Sequence, residues 1–91
     1  MEEWRPIKKS RGQYEASSEG RIRNARTGRI LRPCVAGRRY LVSLNGFMYG
    51  KSYPVARLVY IAFYGETDSA VRHKNRICTD NRIENLYITE D

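Results

Sequence analysis

A chain of 91 residues can hold one small domain or two tightly joined subdomains, but not a large core. With 41% hydrophobic residues, no apolar run of membrane-spanning length and no signal-peptide core in the opening MEEWRPIKK, it argues against wholesale disorder, a membrane partner and export; the cytosol is the expected compartment. The net charge of +7 points to a polyanionic partner, the more so for the way it is distributed.

In chain order, YEASSEGRIRN alternates weakly around a turn at Gly20, which puts Arg21 and Arg23 on one face of a strand and Ile22 on the other. ARTGRILRP predicts a tight turn at Thr27-Gly28 and a second short strand through Ile30 and Leu31, which Pro33 ends or holds at an edge. In RRYLVSLNGFMYGKSYPV, Tyr40, Val42 and Leu44 alternate, Asn45-Gly46 is a hairpin turn, and Phe47 and Tyr49 begin the return strand. The expectation is one small antiparallel sheet with an apolar face and a basic face. Pro54 then opens a helix in its first turn. Val55, Leu58, Val59, Ala62 and Phe63 form its core-facing stripe, and Gly65 caps its end. AVRH and LYIT read as short strands, with Asp80 capping a single helical turn through NRIE between them.

Residues 1–60 carry 13 Lys or Arg against 4 Asp or Glu, a net of +9, while residues 61–91 carry 4 against 6, a net of −2. No acidic residue stands between Gly20 and Gly65. A surface with no particular partner mixes both signs, so a one-signed stretch points to nucleic acid, and arginine's forked donors suit phosphates and guanine edges. The residues expected to contact double-stranded DNA are Arg21, Arg23, Arg29, Arg32 and Arg39, with Arg38 and Lys51 as outer contacts. Cys34 and Cys78 stand far apart with no C-x-x-C around either, so they are expected to be reduced and structural, and not zinc ligands.

Two blocks carry a resemblance. The segments EEWRPI, YEASSEGRIRN, GRILRP and YLVSL resemble the small DNA-binding module found in front of phage-type HNH homing endonucleases. PVARLVYIAFYG, VRHKN and DNRIENLYIT look like the HNH nuclease segment that follows it. The match runs from about Glu3 to Thr89. It implies a bacterial or phage-infected cell, a DNA substrate, and a ββα-metal site in which a hairpin and a helix clasp one divalent metal such as Mg or Mn. By position it gives His73 the place of the general base, Asn81 the place of the residue that orients its ring, and Asn85 a structural place at the turn into the last strand. A neutral imidazole can take a proton from water near pH 7, and a metal can stabilise the phosphorane and the leaving oxygen.

The departures from that pattern concern the metal. Arg72 stands where the family has a metal-holding Asp or Asn, and a guanidinium about 4 Å from a divalent ion is repelled by several kcal/mol at intermediate dielectric. Ala56 replaces the histidine usual before Arg-Leu-Val. The chain stops at Asp91, just past LYIT, so the metal-bearing helix has no residues here, and Glu90 and Asp91 are its only nearby carboxylates. No metal ligand is therefore assigned. Arg72, Lys74 and Arg76 flank His73 and fit a phosphate clamp.

The expected fold is α+β: a small antiparallel β-sheet, one amphipathic helix and a truncated ββα-metal hairpin. Residues 1–53 would form the DNA-binding module and residues 54–91 the helix and hairpin, packed as one unit. The function expected is DNA binding with weak or lost cleavage. The alternatives are an active, divalent-metal nicking or homing endonuclease, and a phage adaptor or inhibitor that binds protein through its tyrosines; a homodimer is compatible with each.

Overall fold

The computed structural model describes residues 2–37, 39–44 and 52–89, and in it three short antiparallel sheets surround one helix. Strands β1 (Trp4–Pro6), β2 (Tyr14–Ser17) and β3 (Ile22–Asn24) form the first sheet in chain order. Strands β4 (Cys34–Ala36), β5 (Arg39–Ser43) and β6 (Ser52–Pro54) form the second. Helix α1 (Val55–Tyr64) follows directly, and β7 (Val71–His73) pairs with β8 (Leu86–Ile88) in a hairpin.

Alternation explains the first sheet. Ala16 pairs with Ile22 on the inner face, where both are buried, and Glu15 pairs with Arg23 on the outer face, where their side chains form an ion pair at 2.8 Å. The turn between the two strands closes at Gly20, whose φ of +87° is costly for any residue with a Cβ.

The helix is where the parts of the chain meet. Val55, Leu58 and Val59 are buried, and Ala62 and Phe63 pack at the margin of the same cluster. Ile7, Tyr14, Ala16 and Ile22 reach that cluster from the first sheet, Val42 and Leu44 from β5 and its end, and Leu86 from β8. One core thus joins the N-terminal sheets to the C-terminal hairpin. Gly65 caps α1 at φ +99°, its N–H donating to the Ile61 carbonyl at 3.1 Å.

Several expectations need correction. The strands form separate sheets, not one, because β5 pairs with β4 on one side and β6 on the other, and none of them pairs with β3. Ile30 makes an isolated bridge to Arg23, flanked by the Asn24–Arg29 and Leu31–Ile22 backbone bonds, so the second arm of ARTGRILRP pairs with β3 without forming a strand of its own. Pro54 is the N-cap of α1 with ψ 127°, because it also closes β6; the first helical residue is Val55. The turn before β8 is a 3-10 turn over Ile83–Asn85 with Arg82 at its N-cap and no side-chain cap, so Asp80 does not cap it. The Asn45-Gly46 turn, Phe47, Tyr49, Arg38, Lys51, Glu90 and Asp91 lie outside the described residues. No helix among the described residues is long and apolar enough to cross a membrane.

Candidate functional site

The β7–β8 hairpin has a register that sorts its side chains. His73 pairs with Leu86 and Val71 with Ile88, while Arg72 pairs with Tyr87 on the other, exposed face. The strand period therefore puts His73 and Arg72 on alternate faces of β7, and both border the same cleft.

The loop between the strands is held by its own asparagines. Asn85 is buried; its Nδ2 donates to Asn75 Oδ1 at 2.9 Å and to the Asp80 carbonyl at 2.8 Å. Its Oδ1 accepts from the Asn75 N–H at 3.2 Å, and its carbonyl accepts from the Lys74 N–H at 2.8 Å. Asn75 Nδ2 donates to Asp80 Oδ2 at 2.7 Å, and its Oδ1 also accepts from the Ile77 N–H at 3.0 Å. Asn85 thus ties the start of the loop at Lys74 and Asn75 to Asp80. Asn75 is a second brace that sequence reasoning missed; its only signal was an asparagine two residues after the histidine.

Asn81 is 2% exposed, and its side chain meets the histidine: His73 Nε2 lies 2.6 Å from Asn81 Oδ1. The amide cannot turn over without loss, because Asn81 Nδ2 donates to the Cys78 carbonyl at 3.2 Å. An amide oxygen only accepts, so Nε2 carries the hydrogen of this contact, and in the neutral ring Nδ1 is then the nitrogen with the lone pair. The imidazole is held in one tautomer.

His73 opens on a cleft of about 980 Å³ between the hairpin, α1 and β5. Its walls include Arg57, Arg72, Arg76, Tyr40 and Tyr87, and none of the described residues lining it is a carboxylate. Arg57 is committed elsewhere, since its guanidinium donates to the Thr67 and Ser69 carbonyls and fixes the loop before β7. The guanidiniums of Arg72 and Arg76 have no partner among the described residues, and Lys74 is exposed beside them. Arg76 sits at φ +62°, an uncommon place for a non-glycine residue, because its N–H closes a turn on the His73 carbonyl at 3.2 Å.

The sheet arginines divide into two groups. Arg21 is paired with Glu2 and Arg23 with Glu15, and both guanidiniums stack on Trp4, at 5.6 and 4.1 Å from the ring centroid. Arg21 holds the Glu2 carboxyl below its ordinary range. Arg29 and Arg32 are exposed, and their guanidiniums have no partner among the described residues. Arg39 begins β5. Cys34 and Cys78 are both free thiols.

A histidine fixed by an asparagine at the mouth of a short hairpin, packed under one helix behind a strand-rich module, defines the frame of an HNH nuclease. The NUMOD4 motif model matches residues 2–43, and the HNH endonuclease model matches residues 53–89. A solved structure described as "DNA binding and cleavage by the HNH homing endonuclease I-HmuI" superposes with a TM-score of 0.82 at 29% identity, over 96% of this chain and 52% of that one. The chain therefore spans about half the length of that neighbour. No curated protein sequence matches. The chain belongs to the HNH homing endonuclease family, a family of DNA-binding nucleases.

HNH endonucleases generally use a divalent metal, and the described residues of this chain do not fit one. Hard divalent cations want oxygen ligands, and the cleft presents arginines instead. Of the two carboxylates in the hairpin loop, Asp80 is taken by Arg82 at 2.8 Å and by Asn75, and Glu84 by Arg82 at 3.2 Å. No three His, Cys, Asp or Glu side chains among the described residues come together around a common point.

Proposed function

We propose that the chain grips double-stranded DNA, with the His73 cleft as a phosphate clamp and with cleavage by the chain itself weak or absent. What supports this reading is the lining of the cleft: Arg72 and Arg76, whose guanidiniums have no partner among the described residues, border it together with His73, and no described residue lining it is a carboxylate. A phosphate needs only positive charge and donors, whereas a divalent cation needs oxygens. Arg29, Arg32 and Arg39, with Arg38 and Lys51, extend the contact across residues 1–53, while residues 54–91 supply the clamp. Arg21 and Arg23 contribute less, because each already has a carboxylate partner. Such a protein works in the cytosol, where its free thiols stay reduced.

Duplex binding measured in EDTA across a salt series tests this. Affinity should fall by about 0.9 log unit per log unit of salt for each phosphate neutralised. Binding that is equally weak at low and high salt would overturn it.

The second reading, a nicking endonuclease working with Mg or Mn, is favoured by one observation: the His73–Asn81 bond leaves Nδ1 with its lone pair. Supercoiled plasmid should stay uncut with either ion. Nicking that is lost in His73→Ala would instead establish the enzyme.

A further inference from the structure

The histidine site is built partly by the other end of the chain. Asn81 does not stand on the hairpin loop alone; its backbone lies on the turn that joins β2 to β3. A Cβ added at Gly20 would fall 2.6 Å from the Asn81 carbonyl carbon, 2.8 Å from its oxygen and 3.0 Å from its Cα, and all three are backbone atoms that cannot swing aside. Beside this contact the Ile83 N–H donates to the Ser18 carbonyl at 2.9 Å, so the loop is held on both sides of Arg82.

The turn is stiff enough to serve as a seat. Ser17 is fully buried, and its Oγ accepts from the N–H groups of Glu19 at 3.2 Å and Arg21 at 3.0 Å. The Ser17 carbonyl accepts from Gly20 at 3.0 Å, and its N–H donates to Arg21 at 2.8 Å. Ser18 is tied to Glu3 twice, by its N–H at 2.8 Å and its Oγ at 2.9 Å. The loop it carries ends in the 2.6 Å contact between Asn81 and the imidazole.

We infer that the Ser17–Gly20 turn of the N-terminal module is a positioning element for His73, acting through Asn81, and that Gly20 is its critical residue. The module does more than attach the hairpin to DNA. It fixes which nitrogen of the imidazole carries the hydrogen, and hence which one faces a phosphate. The inference concerns the free protein, so it stands or falls separately from DNA binding.

His73 is the one histidine of the chain, which gives a clean readout: the ring nitrogens by NMR on the full chain at pH about 8, above where imidazoles ordinarily titrate. Wild type should show a single Nε2–H tautomer. Gly20→Ala should lose it and give averaged ring-nitrogen shifts, and Asn81→Ala should give the same spectrum. Gly28→Ala separates this effect from backbone strain, since Gly28 also has positive φ, +76°, but nothing within 4 Å of its added Cβ. It should keep the wild-type tautomer.

If Gly20→Ala does not fold, Ile83→Pro tests the seat from the other side. It removes the N–H that Ser18 accepts, and Arg82 at φ −59° and ψ 138° already has the backbone a residue before proline adopts. It too should lose the single tautomer. A folded Gly20→Ala or Ile83→Pro chain with the wild-type ring spectrum would overturn the inference.

Discussion

Asp80 lies between Arg82 and the Asn75 amide, and the Arg82 guanidinium, with help from Asn75, lowers its carboxyl to about 2. A carboxyl depressed in the folded state stabilises the fold above its unfolded value near 4 and loses that contribution as pH falls through about 2. Asp80→Asn should therefore lower the urea midpoint at pH 5, and the gap to wild type should narrow by pH 2.5. The gap should be modest, because the Arg82 side chain is 46% exposed. A gap that is constant across that range would mean the charge does not matter. The capping role expected of Asp80 from its place before NRIE failed because Arg82 intervened: the ion pair took the carboxylate that the turn would have used. The contact between His73, at the end of β7, and Asn81, in the loop after it, follows a spacing that the motif carries in the sequence. Gly20 was not legible as part of that site, because its contact is with a residue 61 positions along the chain and only the fold brings the two together.

Helix α1 was the most legible element, since its apolar stripe and its glycine end are local signals. Strands β4 and β6 were not, because each is three residues long and exists only through pairing with β5. Cys34 and Val35 on β4 are exposed, so no alternation marks it. The helix is also the element on which the site depends most. Its inner face meets both N-terminal sheets and the hairpin, and Arg57 on it ties down the loop before β7. Leu58, 2% exposed in the middle of that face, should cost about 3 kcal/mol when cut to alanine, a large share of what so small a domain has. Urea unfolding measures this, and a cost below about 1 kcal/mol would show that the core closes around the gap.

At the scale of the whole molecule, charge counting pointed to a polyanionic partner but not to the residues placed to meet one. Composition cannot distinguish an arginine paired with glutamate from one open to a phosphate. Arg21 and Arg23 proved to be stacked on Trp4 and paired, whereas Arg72 and Arg76 border the histidine cleft uncommitted among the described residues. The most direct test compares the salt dependence of duplex binding, in EDTA, between wild type and the double variant Arg72→Ala/Arg76→Ala. If the cleft is a phosphate clamp, the slope should become shallower by about 1.8, two phosphates' worth, while Arg21→Ala changes it by much less. A slope left unchanged by the double variant, or wild-type binding that needs a divalent ion, would contradict a phosphate clamp at His73.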